Sequence, residues 1–149
     1  MAGYKKIMVL LDLSKDSGQV VRAARDLAAY SQASLIAIHV VEFVPIAPMG
    51  DPLIPSTGLE PNLMIESELI EGARQRLRAL LIETGLPTAP MRVEAGPIKA
   101  QILRVAGEEN PDLIVVGSHE HHGLAVLVNF TQDAVLHAAH CDVLAVRLR

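Results

Sequence analysis

Short apolar runs alternate with helical patterns along the chain. Four of the runs are nearly continuous in apolar character, as strands buried on both faces are: IMVLL (7–11), LIAIHVV (35–41), LIVVG (113–117) and VLAVRL (143–148). A fifth run, MRVEA (91–95), alternates and carries Arg92 and Glu94 on one face. The pattern predicts five strands, and 91–95 is predicted to be an edge strand with one face in water.

Between these runs, apolar residues recur at helical spacing. After DLSKDS, a predicted helix presents Val20, Ala24 and Leu27 on one face, and Ser14 or Ser17 can cap its start. The other predicted helices cover 62–83, a segment that starts at Pro97, and 130–139. A strand followed by a helix, repeated and closed by a strand, predicts right-handed crossovers and a parallel sheet. We therefore expect one α/β domain over residues 1–149.

One long segment fits neither period. The stretch FVPIAPMGDPLIPSTGLEP (43–61) contains five prolines and two glycines, which exclude regular structure by sequence criteria. An irregular loop of this length is typical of a lid, a binding loop or a disordered segment. The sequence leaves these three alternatives open.

Composition limits the class of protein. Apolar residues make up 50% of the chain but aromatic residues only 3%, so the core is predicted to be aliphatic. The mean hydropathy of +0.32 is high for a small soluble protein, which favours burial of apolar surface against another subunit. The net charge of −4 argues against nucleic-acid and anionic-membrane partners. No apolar run is long enough for a signal peptide or a membrane span, so we expect a cytoplasmic protein.

Polar residues follow two of the predicted strands where a site is expected. Asp12 follows the first strand, and Gly117-Ser118 end the fourth. If these strands are neighbours where the strand order reverses, Asp12 and the 117–123 turn share a crevice with the start of the last helix. That helix start, with Asn129 and Gln132 as a loose capping box, offers N–H donors for a small anion such as chloride or sulfate.

The histidines do not form a recognisable metal or catalytic motif. The turn HEHH (119–122) contains ligand-type residues, but adjacent residues in a turn rarely converge on one ion. His39 lies in an apolar run and is interpreted as a satisfied core or strand-end histidine. Cys141 is the only cysteine and is interpreted as inert packing. We therefore predict neither catalytic residues nor metal ligands, although a metal-dependent role for the histidine turn stays an alternative.

Four segments in this order resemble the universal stress protein family across the whole chain: KKIMVLLDLSKDS, LIAIHVVE, NPDLIVVGSH and HCDVLAVRLR. The resemblance implies an α/β, Rossmann-like fold of the adenine nucleotide α-hydrolase type. Its sheet is an open, parallel, five-stranded sheet with strand order 3-2-1-4-5 and helices on both faces. The resemblance also implies a homodimer through antiparallel pairing of the last strands, here Asp142 to Leu148.

One branch of that family binds ATP through Gly-x2-Gly-x9-Gly-Ser/Thr after the fourth strand. Here Gly117 matches the first glycine, whereas Glu120 and Phe130 replace the second and third, and Thr131 follows. Glycines in such a loop let backbone N–H groups approach the phosphate oxygens, whereas Glu120 would repel them and Phe130 would occupy their space. The chain therefore resembles the branch that is not expected to bind ATP.

Three functions follow as hypotheses. The first is a non-enzymatic, homodimeric bacterial stress-response protein that acts through unidentified protein partners and has no cofactor. The second is an ATP or nucleotide binder, even a slow ATPase, with a degenerate phosphate loop, and the third is the metal-dependent protein. The candidate nucleotide- or anion-binding residues are Asp12, Val40, Gly117, Gly123, Asn129, Thr131 and Gln132.

Overall fold

The computed structural model describes residues 3–42, 59–119, 135 and 139–148, and side chains are described for these except residues 59–64 and 119. In chain order the elements are β1 (Lys6–Leu10), α1 (Ser17–Ser31), β2 (Ser34–Val41), α2 (Leu59–Glu83), β3 (Met91–Ala95), α3 (Ile98–Glu109), β4 (Leu113–His119) and β5 (Asp142–Leu148). All neighbouring strands are parallel, in the order β3-β2-β1-β4-β5. This confirms the predicted fold class and strand order.

The sheet has a core on each face because successive residues of the central strands point in opposite directions. Ile7 and Val9 of β1 pack on one side with α1 and α2, where Leu77 is fully buried. Met8 packs on the other side with α3 and with Val135. Burial of such a side chain stabilises the fold by roughly 1.5–3 kcal/mol, so two aliphatic layers hold the sheet between them. The expectation of helices on both faces is confirmed.

The second helix begins earlier than the sequence predicted. Helix α2 starts at Leu59 rather than at Asn62, so the end of the 43–61 segment is helical and not a loop. Pro61 is compatible with this start because the first turn of a helix needs no backbone N–H from its residues. The prediction for residues 43–58 lies outside the described residues.

The start of α1 also differs from the prediction. Its N-cap residue is Asp16, which makes no side-chain capping bond, whereas the sequence predicted a cap by Ser14 or Ser17. The Ser17 hydroxyl instead donates to Asp12 Oδ1 at 2.9 Å. The predicted last helix, 130–139, lies mostly outside the described residues, where Ala139 N–H donates to the Val135 carbonyl at 2.8 Å.

Two side chains connect the ends of distant elements. The Asp112 carboxylate accepts the backbone N–H of Lys5 at 2.7 Å and of Lys6 at 2.9 Å, which joins the starts of β4 and β1. Arg25 Nη1 of α1 donates to the Thr84 carbonyl at 2.8 Å, at the end of α2 where helix carbonyls lack partners. Among the helices described, none is long and apolar enough to cross a membrane.

Candidate functional site

The candidate crevice lies where the strand order reverses, between β1 and β4. These strands are direct neighbours, with Val9 opposite Val115, as the sequence interpretation required. In an open parallel sheet the loops after such a pair diverge to opposite faces and leave a cleft at the carboxyl edge. The structure therefore brings Asp12 and the end of β4 together at the carboxyl ends of the strands.

Asp12 follows β1, and its carboxylate turns towards the start of α1. Oδ1 accepts the backbone N–H of Ser14 at 2.9 Å and the Ser17 hydroxyl at 2.9 Å. Leu13, the residue between, has a φ of 59°, a conformation that side chains other than glycine adopt at some cost in energy. Asp12 is itself exposed. It thus shapes the β1–α1 connection and keeps a solvent-facing charge at the crevice.

His39 joins the carboxyl ends of β1 and β2. Its side chain is buried, and Nδ1 lies 2.7 Å from the Leu11 carbonyl. Because a carbonyl only accepts, Nδ1 carries the proton in this bond. Burial lowers the pKa of His39, and this outweighs the upward effect of the hydrogen bond to Leu11. The burial of His39 and its hydrogen bond to Leu11 confirm the interpretation of a satisfied strand-end histidine.

Gly117 lies inside β4, opposite Val146 of β5, and the strand continues to His119, beyond the end at Gly117-Ser118 that the sequence predicted. The chain stays extended here because β5 runs alongside as far as Leu148. A Cβ atom at Gly117 would lie 3.0 Å from Leu148 Cδ1 and 3.0 Å from Val20 Cγ2. The close packing of these two side chains explains the glycine without reference to a phosphate.

Of the remaining candidate residues, Val40 is the one that lies in the part of the chain that the structure describes. Val40 of β2 is half-buried and packs towards the α3 side of the sheet, opposite Glu94 of β3. It lies two strands away from Gly117 in the sheet order. The other four candidates lie outside the described residues: Gly123, Asn129, Thr131 and Gln132.

Metal-type and nucleophilic side chains do not cluster in the described part of the chain. Within it, no group of three His, Cys, Asp or Glu side chains could hold a metal ion. Burial raises the pKa of the Cys141 thiol, and the nearby Asp142 and Asp112 charges act in the same direction. A thiol with a raised pKa is a poor nucleophile at neutral pH.

A charged cluster that sequence reasoning missed lies between β3 and α3, and we call it the β3 network. Arg92 Nη2 lies 2.7 Å from Glu94 Oε1 and 2.7 Å from Glu108 Oε2, and Nη1 lies 3.0 Å from Glu109 Oε1. Arg104 and Lys6 complete it through Glu94, Glu108 and Glu109. The alternation of MRVEA indicated that Arg92 and Glu94 share a face, but the other members come from α3 and, for Lys6, from β1.

The two edge strands of the sheet differ in chemistry. At one edge, β3 spans Met91–Ala95 and carries the β3 network. At the other, β5 spans Asp142–Leu148 and leaves an apolar centre in contact with solvent, with Leu144 40% exposed. Ala145 is exposed as well, and Val143 and Val146 are half-buried.

Family membership follows from comparison over the same length of chain. A model of the universal stress protein family matches residues 3–147. The chain belongs to the universal stress protein family. One relative is the universal stress protein A homolog 1 of Coxiella burnetii, which is 37% identical over 146 residues that cover 98% of each chain.

Solved universal stress proteins have the same architecture. The universal stress protein UspA from Lactobacillus plantarum superposes with a TM-score of 0.71 at 25% identity, over 99% of this chain and 100% of that one. A universal stress protein in complex with cAMP superposes with a TM-score of 0.61 at 23% identity, over 97% of each chain, and this likeness concerns the fold. Both agree with the open α/β sheet described above.

Proposed function

We propose that this universal stress protein is a cytoplasmic homodimer that acts in the stress response by binding a protein partner. In this proposal it has no enzymatic activity, and its crevice does not hold ATP. The observation that carries the proposal is the apolar, solvent-exposed centre of the edge strand β5. Such an edge presents unpaired backbone groups beside apolar side chains, and a second copy of the strand would satisfy both.

Antiparallel pairing of two β5 strands suits this edge. A two-fold axis perpendicular to the sheet keeps each side chain on its own face, so apolar residues meet apolar residues across the seam. Leu144 and Val146 point towards the α1 side, where Leu148 is buried, and Ala145 points to the opposite side. The charged residues Asp142 and Arg147 lie near the ends of the strand and leave the centre apolar.

The dimer is tested by Leu144→Lys. We expect light scattering after gel filtration to give a dimer mass for the native protein and a monomer mass for the variant at micromolar concentration. A lysine at the centre of the seam would place like charges close together across the two-fold axis. Tyr30→Lys is the matched control, because Tyr30 is 88% exposed on α1, away from the sheet edge. A native monomer, or a Leu144→Lys variant that remains dimeric, would contradict the seam.

The absence of ATP binding rests on the residues after β4 and on Gly117. Glu120 and Phe130 occupy two positions at which the ATP-binding branch has glycine. A carboxylate about 4 Å from a phosphate raises the free energy of binding by roughly 1–4 kcal/mol. Gly117, the one matching glycine, is accounted for by packing against Leu148 and Val20.

Calorimetry with ATP tests this part of the proposal. We expect no binding at micromolar affinity for the native protein, and a gain of roughly one to three decades in affinity for Glu120→Gly/Phe130→Gly. Glu68→Gln, at an exposed position of α2, removes the same charge away from the crevice and is expected to leave the titration unchanged. Micromolar binding of ATP by the native protein would favour the second hypothesis.

That second function is nucleotide binding with a different phosphate pattern. It is favoured by the universal stress protein whose structure holds cAMP, and by the position of Asp12 at the crevice. A cyclic monophosphate carries less charge than ATP and would meet less repulsion from Glu120. Titration with cAMP beside ATP separates the two functions, because the dimer proposal expects neither ligand to bind at micromolar affinity.

A further inference from the structure

We infer that the β3 network closes the second edge of the sheet, so that assembly through β5 ends at a dimer instead of continuing into a chain of subunits. The inference extends the proposed function, since it concerns what happens after β5 has paired. A sheet with two open edges can add a strand at each, whereas a sheet with one open edge and a two-fold partner is complete.

The charged side chains of β3, Arg92 and Glu94, point towards the α3 face of the sheet and not outwards from its edge. Met91 and Val93 pack towards the α1 and α2 layer, so Arg92 and Glu94 point to the α3 side. Arg92 Nη2 reaches Glu108 and Nη1 reaches Glu109, both in the last turn of α3. Glu109 also binds Lys6 Nζ of β1 at 2.8 Å. The network thus places charged groups beneath β3, whereas aliphatic side chains such as Ile36 and Ile38 fill the space beneath the neighbouring β2.

The network is satisfied within one chain but still needs water. It contains the cations Lys6, Arg92 and Arg104 and the carboxylates Glu94, Glu108 and Glu109. The side chains of Arg92 and Glu94 remain 24% and 22% exposed, and that of Glu108 47%. Partial hydration keeps the desolvation free energy of such a cluster small at an edge, and removal of the remaining water raises it.

A strand added beside β3 would remove that water. Side chains directly across from Arg92 and Glu94 on the α3 side would lie within about 5 Å of them. An apolar strand would therefore bury the charges without new partners, and a charged strand would have to break bonds that already exist. Strand β3 is short, since it spans Met91–Ala95 whereas β5 spans Asp142–Leu148. A strand paired with β3 would therefore gain fewer backbone hydrogen bonds to offset the cost of removing this water. Inward-pointing charge on a short strand is a known protection of sheet edges.

The charge pattern also decides which edge pairs. At β5, apolar residues occupy the centre and charges lie near the ends, whereas at β3 both residues of the α3 face are charged. A β5 strand placed against β3 would bring Val143 and Ala145, or Leu144 and Val146, over the β3 network. The two edges of the sheet therefore do not fit each other, and head-to-tail assembly is disfavoured.

The test replaces the two charges of β3 by residues with high strand propensity. We expect Arg92→Thr/Glu94→Thr to have at least twice the native mass by light scattering after gel filtration, because the opened edge pairs with another copy. Adding the substitution to Leu144→Lys isolates the β3 edge. That triple variant should have twice the mass of Leu144→Lys alone, even if the native protein is a monomer and the β5 proposal is wrong.

Three controls separate edge opening from loss of stability. Arg92→Lys/Glu94→Asp keeps both charges while weakening the bonds, and Arg104→Thr removes a charge of the network from α3 without altering β3; both should keep the native mass. Circular dichroism establishes that each variant is folded. If Arg92→Thr/Glu94→Thr does not fold, the mass of Glu94→Thr alone is measured in its place, and a mass above the native one is expected. This single variant leaves Arg92 with Glu108 and Glu109.

Two outcomes would overturn the inference. A folded Arg92→Thr/Glu94→Thr variant with the native mass would show that charge does not close the edge. Growth of the Arg92→Lys/Glu94→Asp variant to the same larger mass would show that weakened bonding causes assembly and that the charges do not prevent it.

Discussion

Replacement of Gly117 by Val is expected to lower the free energy of unfolding by roughly 1–3 kcal/mol or more, the range found when well-packed cores are overfilled. Even the Cβ atom alone would lie 3.0 Å from both Leu148 Cδ1 and Val20 Cγ2. The branched side chain would add two further methyl groups between β5 and α1. Urea unfolding followed by circular dichroism measures the change, and a decrease in the midpoint without a change in slope is expected.

Two comparisons show whether packing is the cause. Gly107→Ala in α3 adds a Cβ atom with nothing within 4 Å and is expected to stabilise the protein by roughly 0.5–1 kcal/mol. Leu148→Ala should cost less stability in the Gly117→Ala background than in the native protein, because it removes one of the two opposing side chains. Additive effects of the two substitutions, or a Gly117→Val variant as stable as the native protein, would contradict the packing explanation.

Replacement of Asp112 by Ala is expected to cost about 2 kcal/mol, the scale for hydrogen bonds to a charged group. The carboxylate accepts the backbone N–H groups of Lys5 and Lys6 at 2.7 and 2.9 Å, and its removal takes away the protein acceptor of both. Thermal and urea unfolding measure the loss. Asp112→Asn should retain part of the stability through its amide oxygen. Asp26→Ala should change it by less than about 0.5 kcal/mol, because Asp26 is exposed and forms a surface ion pair with its neighbour Arg25.

The same carboxylate gives a pH dependence of known sign. Partial burial acts to raise the pKa of the Asp112 carboxyl. The hydrogen bonds from the N–H groups of Lys5, Lys6 and Asp112 itself lower it by more, so the pKa lies below its ordinary value. The stability that it contributes is fully present above its unfolded value, near 3.8, and is lost as the pH falls through the folded value. The difference in stability between native protein and Asp112→Ala should therefore shrink below about pH 4. A difference that stays constant down to pH 2 would contradict this assignment.

Elements with a strong period were predictable from the sequence, but their ends were predictable only where a local signal marks them. The strand at 91–95 coincides with β3, because the turn glycine Gly96 follows directly and adopts a φ of 136°. The fourth strand runs on to His119, because β5 pairs with it residue by residue and extends it through a glycine that by itself suggests a turn. Pairing between strands distant in sequence determined that boundary, and no local pattern contains it.

The position of Asp12 was predictable from the sequence, and its contacts were predictable only in part. Asp12 was identified from its position after a buried strand, and that strand, β1, is the neighbour of β4 as expected. Its hydrogen bond with Ser17 was missed, since capping statistics assign a serine at that position to its own helix. Gly117 was matched to a phosphate-binding pattern, whereas its neighbours Leu148 and Val20 come from opposite ends of the chain.

The sequence by itself determined the parallel α/β sheet and its aliphatic core, because alternating strands and helices leave few topologies that obey right-handed crossovers. Its resemblance to the universal stress protein family implied the strand order, which the structure confirms. Only the tertiary structure decided that a Cβ atom at Gly117 would meet Leu148 and Val20, that His39 joins two strand ends through the Leu11 carbonyl, and that Arg92 gathers three carboxylates beneath one edge. The physical reason is the same in each case. These properties depend on distances between residues far apart in the chain, and such distances exist only once the sheet has formed.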